Sequence, residues 1–129
     1  MTFIRTALAA AALVTLAAPV QAAQERKFEA AAFAAAQAEG RPILVDVSAW
    51  WCPVCASQHG TIKQVAASPA YAKLIIFKVD YDGQKPVWRG FGVLKQGTLI
   101  AFRGKQEVGR LAFETDKAKI ANLLAAAVR

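Results

Sequence analysis

The residues best placed to do chemistry are Cys52 and Cys55, the chain's two cysteines, in Trp51-Cys52-Pro53-Val54-Cys55. At i and i+3 across a helix start, two thiols can form and break a disulfide. Pro53 fits the first position of that helix, where a missing N–H costs nothing. Cys52 then stands over the N-terminal N–H groups, whose partial positive charge stabilises a thiolate. Thiolate is the attacking species, so Cys52 is the expected nucleophile and Cys55 the partner that resolves the mixed disulfide. The alternative use of the pair is an inert clip, but closing so short a loop gains little entropy. One pair also excludes a multi-bridge secreted scaffold and cannot complete a structural zinc site.

Asp46 adds independent weight. It lies within Ile43-Leu44-Val45-Asp46-Val47, a run that reads as a strand buried on both faces. Burial disfavours a charged carboxylate, which suits Asp46 to accept the proton of the resolving thiol. Its other reading is a strand-edge residue capping the following turn. His59 follows Cys55 and Cys52 on one helix face. Those three could ligate a metal, but a further ligand is missing, so no metal is expected. Trp50 and Trp51 are expected to flank the thiols and offer an apolar contact surface. Trp88 reads as core or a surface anchor, and Phe28, Phe33, Phe77, Phe102 and Leu123 as core.

The elements that must position these groups follow from punctuation and periodicity. Phe28–Glu39 is Ala-rich and helical, stopped by Gly40 and Arg41-Pro42. The Ile43–Val47 strand feeds a turn at Trp50–Cys52, and a helix from Pro53 runs to about Ala67, before Ser68-Pro69. Leu74–Val79 is a second apolar strand, and Lys85–Phe91 a short helix or loop. Thr98–Phe102 and Glu107–Phe113 flank Gly104 as a β-hairpin, and Thr115-Asp116 caps a helix over Ala118–Val128. The order α-β-α-β-α-β-β-α predicts an α/β domain: a central mixed β-sheet flanked by helices on both faces.

The chain has 129 residues, 56% of them hydrophobic, with a net charge of +7. That length fits one domain with a modest core. Much of the apolar content is at the front: Arg5, then Ala7–Ala18 without a charge, then Val20-Gln21-Ala22. This is the pattern of a cleaved export signal, too short in its apolar run to span a bilayer comfortably. Residues 1–22 are therefore expected to be a signal peptide and 23–129 the mature domain, in an oxidising compartment. The basic residues are scattered, without a stripe interleaved with aromatics, so no nucleic-acid partner is expected.

The stretch Ile43-Leu44-Val45-Asp46-Val47-Ser48-Ala49-Trp50-Trp51-Cys52-Pro53-Val54-Cys55 resembles the active-site segment of the thioredoxin superfamily. Its buried Asp stands six positions before the nucleophilic Cys, as Asp46 does before Cys52. Lys78-Val79-Asp80 resembles the family's third-strand segment, and Phe91-Gly92-Val93 the approach to its substrate-binding loop. With the leader, the chain is most similar to periplasmic thioredoxin-like proteins of bacteria. The resemblance implies a thioredoxin-like fold and dithiol–disulfide exchange without a cofactor. Two departures stand out. Gly97 of Gln96-Gly97-Thr98-Leu99 occupies the place of the family's cis-proline, so nothing locks that loop in the family's way. Phe113 occupies the place of a family glycine, which adds bulk near the same rim.

These readings converge on a periplasmic protein-disulfide oxidoreductase, expected as a monomer. Cys52, Cys55 and Asp46 would carry the chemistry, and Trp51, Pro53, Gly97 and Thr98 would shape the docking groove. The expected partners are disulfide-containing exported proteins and a membrane thiol-electron donor. The alternatives are a disulfide-donating oxidase and a non-catalytic binding or metal-handling module.

Overall fold

A computed structural model describes residues 13–18 and 22–129. The expected leader falls mainly on residues 1–12 and 19–21, which lie outside the described residues. Among the described residues, no helix is long and apolar enough to cross a membrane.

The elements run β1 (Gln24–Lys27), α1 (Ala30–Ala38), β2 (Pro42–Ser48), α2 (Pro53–Ala66), a 3-10 turn (Pro69–Tyr71), β3 (Ile75–Asp80), α3 (Lys85–Gly90), β4 (Thr98–Arg103), β5 (Gln106–Ala112) and α4 (Lys117–Val128). The five strands form one sheet in the order β1-β3-β2-β4-β5. β1 and β2 run parallel to β3, whereas β4 runs antiparallel to both β2 and β5. The expected α/β class and mixed sheet are present. One strand was not foreseen: β1 is Gln-Glu-Arg-Lys, exposed at every position, with none of the apolar alternation that betrays a strand. Backbone pairing with β3 holds it, and its charged side chains suit a sheet edge. Because β1 takes residues up to Lys27, α1 begins at Ala30, two residues later than the sequence suggests.

Alternation along the strands splits the core into two layers. Ile43, Val45, Val47, Phe77 and Ile100 face α1 and α3, where Phe28, Phe33, Phe91 and Phe102 pack edge-on against one another. Leu44, Ile76 and Leu99 face α2 and α4 and meet Ile62, Ile120 and Leu124. Each such side chain, fully buried, contributes about 1.5–3 kcal/mol. The same alternation puts Asp46 on the α2 side with Leu44, and pairs it across the sheet with Lys78 and Leu99.

The connections that deliver β2 to the site have identifiable causes. α1 ends in a Schellman turn, with Gly40 at φ +69. Gly40 N–H donates to Gln37 O and Arg41 N–H to Ala36 O, which caps the last turn and aims the chain into β2.

Candidate functional site

β2 ends at Ser48, and the chain turns through Ala49–Trp51 into α2, whose N-cap is Cys52 and whose first residue is Pro53. Cys52 and Cys55 are joined as a disulfide, with Cα atoms 5.2 Å apart. The Cys55 backbone N–H donates to Cys52 Sγ at 3.2 Å. That bond is the one a Cys52 thiolate would use, because an amide at a helix N-terminus favours negative charge on its acceptor. Both sulfurs are buried among Ala49, Val54 and Tyr81.

The surface around them is aromatic. Trp50 is 91% exposed and Trp51 45% exposed. Trp51 Nε1 donates to Asp82 Oδ2 at 2.9 Å, and its ring meets Tyr81 edge-on. Tyr81 stacks on buried Trp88, with centroids 4.9 Å apart, and Trp88 Nε1 donates to Tyr81 O. Trp88 is therefore core, and it braces the ring that packs against the dithiol. Pro53 lies exposed beside the cysteines.

Asp46 is 1% exposed and faces α2, which excludes its reading as a strand-edge cap. Its Oδ2 lies 2.8 Å from His59 Nε2 and 3.1 Å from Lys78 Nζ. These are charge contacts without the angular alignment of good hydrogen bonds, and Oδ1 has no hydrogen-bond partner. Lys78 Nζ also lies 3.4 Å from Glu25 Oε1 on β1. His59, considered in the sequence as a metal ligand with the cysteines and set aside, is engaged with the buried carboxylate.

The loop at Gly97 is held by contacts that the sequence does not reveal. Gly97 has φ +79, a backbone that glycine adopts without strain. The loop is nonetheless fixed, by hydrogen bonds. Gly97 N–H donates to Val47 O at 2.7 Å, and its carbonyl accepts from Phe113 N–H and from Gln58 Nε2, both at 2.8 Å. Gln58 Nε2 donates also to Glu114 O at 3.0 Å. Thr98, expected on the groove, is buried, and its hydroxyl donates to Lys95 O at 2.9 Å. It shapes the loop from behind. Phe113 is partly exposed at φ +56, a left-handed backbone that glycine adopts more readily, with Lys95 Nζ 3.8 Å from its ring centroid. Gln58 was not singled out from sequence. Its signal is the buried stripe Cys55, Gln58, Ile62 and Ala66 of α2, which carries an amide where an apolar side chain belongs.

A sheet covered on both faces, with a dithiol at a helix N-terminus and a buried carboxylate behind it, defines a dithiol–disulfide exchange protein. The thioredoxin family model matches residues 20–126, and the chain belongs to the thioredoxin family. It is 32% identical over 92 residues to the bifunctional thioredoxin reductase/thioredoxin of Mycobacterium leprae, covering 71% of this chain and 20% of that longer protein. It is 31% identical over 88 residues to the thioredoxin of Alicyclobacillus acidocaldarius, covering 65% of this chain and 83% of that one. Among solved structures, Trxlp from Edwardsiella tarda is 42% identical with a TM-score of 0.75, covering 78% of this chain and 98% of that one. The chain is a thioredoxin-family thiol-disulfide oxidoreductase with a Cys-x-x-Cys pair.

Proposed function

We propose that this protein reduces disulfides of exported proteins in the periplasm. Cys52 thiolate attacks one sulfur of the substrate disulfide, forming the mixed disulfide and expelling the other sulfur as a thiolate. Cys55 then gives its proton to Asp46 and attacks Cys52 Sγ. The Cys52–Cys55 bond forms, the substrate's second sulfur leaves as thiolate, and two electrons have passed to the substrate. A membrane thiol-electron donor restores the dithiol. The leader pattern at residues 1–22 supports export, and the aromatic rim of Trp50 and Trp51 supports docking of polypeptide. The observation that carries the reading is the Cys55 N–H donated to Cys52 Sγ at 3.2 Å, which favours the Cys52 thiolate, the species that attacks a substrate disulfide.

Equilibration of the Cys52–Cys55 couple against dithiothreitol tests the direction. A potential near about −270 mV supports a reductant, and one near about −120 mV makes the protein a disulfide donor. Cys52→Ser is expected to abolish reduction of insulin disulfides, and Cys55→Ser to accumulate the mixed disulfide. A Cys52→Ser variant that still turns over overturns the mechanism.

A further inference from the structure

Asp46 is enclosed, so a proton it accepts needs a way out. Asp46 Oδ2, His59 Nε2 and Lys78 Nζ form a triangle with edges of 2.8, 3.1 and 3.0 Å. Lys78 Nζ can only donate, and the single lone pair of Nε2 can take one proton, from Lys78 or from Asp46. The third edge, between Asp46 and His59, is the shortest and joins two acceptors. It can pass one proton once the imidazole turns its Nε2 lone pair into line with the carboxylate.

Two cavities meet at this point. One, of about 420 Å³, is lined by Asp46, His59 and Lys78 together with Glu25, Lys63 and Ile62. The other, of about 440 Å³, is lined by Cys52, Trp50 and Ala56, and again by His59 and Lys78. His59 therefore borders both the carboxylate's cavity and the dithiol's, and its side chain is 36% exposed. It stands one helical turn beyond Cys55 on α2.

We infer that His59 is a positioning residue that carries the proton of Asp46 to solvent during resolution of the mixed disulfide. The proton leaves Cys55 Sγ for Asp46, crosses the 2.8 Å edge to His59 Nε2, and a proton departs from His59 Nδ1 to water. No electrons move in this transfer, and exchange with water resets the ring tautomer. The charged groups that face His59 set its behaviour with pH. They are Asp46 on β2, Lys78 on β3, Glu25 on β1 and Lys63 on α2, with Lys27 and Asp80 across the second cavity.

The inference rests on Asp46 being the proton acceptor, and the test separates the two. Single-turnover oxidation of the reduced protein by a peptide disulfide is followed against pH for wild type, His59→Ala, His59→Asn, Asp46→Asn and Asp46→Asn/His59→Ala. General acid–base groups contribute about 10²–10⁴-fold, and a relay that leaves Asp46 in place forfeits the lesser part, about tenfold. His59→Ala and His59→Asn are expected to slow resolution by that factor with a changed pH profile. Added imidazole is expected to restore His59→Ala, and the His59 change is expected to do nothing further once Asp46 is Asn. A wild-type profile in both His59 variants overturns the relay, as does a loss that imidazole leaves untouched. If Asp46→Asn matches wild type while His59→Ala is slow, the assignment of Asp46 itself fails.

Discussion

Gln58 Nε2 donates to the carbonyl of Gly97 at 2.8 Å, a contact between residues 39 apart that ties the second turn of α2 to the loop facing the dithiol. The same amide nitrogen reaches Glu114 O, so one buried side chain holds both the entry to β4 and the exit from β5. A hydrogen-bonded lock stands where proline would impose a rigid ring.

Replacing Gln58 by Leu keeps the volume and removes that lock. The Glu114 carbonyl loses its donor and Gly97 O keeps only Phe113 N–H, so the variant is expected to lose about 1–3 kcal/mol in urea unfolding. The KM for a protein disulfide should rise, while the rate with a small disulfide stays near wild type. A variant as stable as wild type would show that the amide only fills space.

Restoring proline at position 97 is expected to harm this chain. Proline cannot adopt φ +79 and lacks the N–H that Gly97 gives to Val47 O. A Cβ there would also stand 3.1 Å from the Phe113 ring. Gly97→Pro should therefore cost more than about 1 kcal/mol. Adding Phe113→Gly should recover part of it, a coupling of about 0.5–3 kcal/mol in a double-mutant cycle. Strict additivity would mean that the ring and the loop are independent.

Asp46→Leu should separate stability from activity. The carboxylate is enclosed, but Lys78 and His59 reach solvent, and Lys78 keeps Glu25 3.4 Å away. Exchanging a buried ion for an apolar side chain is often neutral or stabilising by about 1–4 kcal/mol. The variant is expected to unfold at equal or higher urea concentration while resolving mixed disulfides more slowly. A lower midpoint would show that the carboxylate stabilises the fold.

Acid should loosen the entry to α4. Glu114 is held below the usual carboxylate range, first by the Asp116 N–H donated to Oε1 at 3.0 Å, then by Lys119 Nζ, 3.1 Å from Oε2. A carboxyl whose folded value is depressed contributes stability that is present above its unfolded value and is lost as pH falls through the folded one. Glu114→Gln should therefore be less stable than wild type at neutral pH. The gap should close as the pH falls below the ordinary carboxylate range. Urea midpoints across that range check this, and a gap constant with pH refutes it.

Much of the site was legible because the chemistry is written locally. Cys52, Cys55 and Pro53 lie within one turn, and Asp46 announces itself as a charge inside an apolar strand. The side of the sheet that Asp46 faces was also available, since alternation places it with Leu44. What escaped depends on contacts far apart in sequence. β1 has no apolar pattern and exists through pairing with β3. Gln58 becomes informative only when the β4 loop is laid over α2. His59 was weighed only against the cysteines because its distance from them is visible in the sequence, whereas its distance from Asp46 is set by packing. The hydrogen bonds that hold the Gly97 loop escaped for the same reason, since they come from Val47, Gln58 and Phe113.

The segregation of aromatic side chains to the α1 and α3 layer makes the two halves of the core optically distinct. Phe28, Phe33, Phe77, Phe91 and Phe102 pack there with Trp88, which stacks on Tyr81, while the α2 and α4 layer is filled chiefly by Leu, Ile and Ala. Near-ultraviolet circular dichroism therefore weighs the α1 and α3 layer more heavily than the other. Because Tyr81 also packs against the dithiol, a change of redox state is expected to register in that aromatic signal.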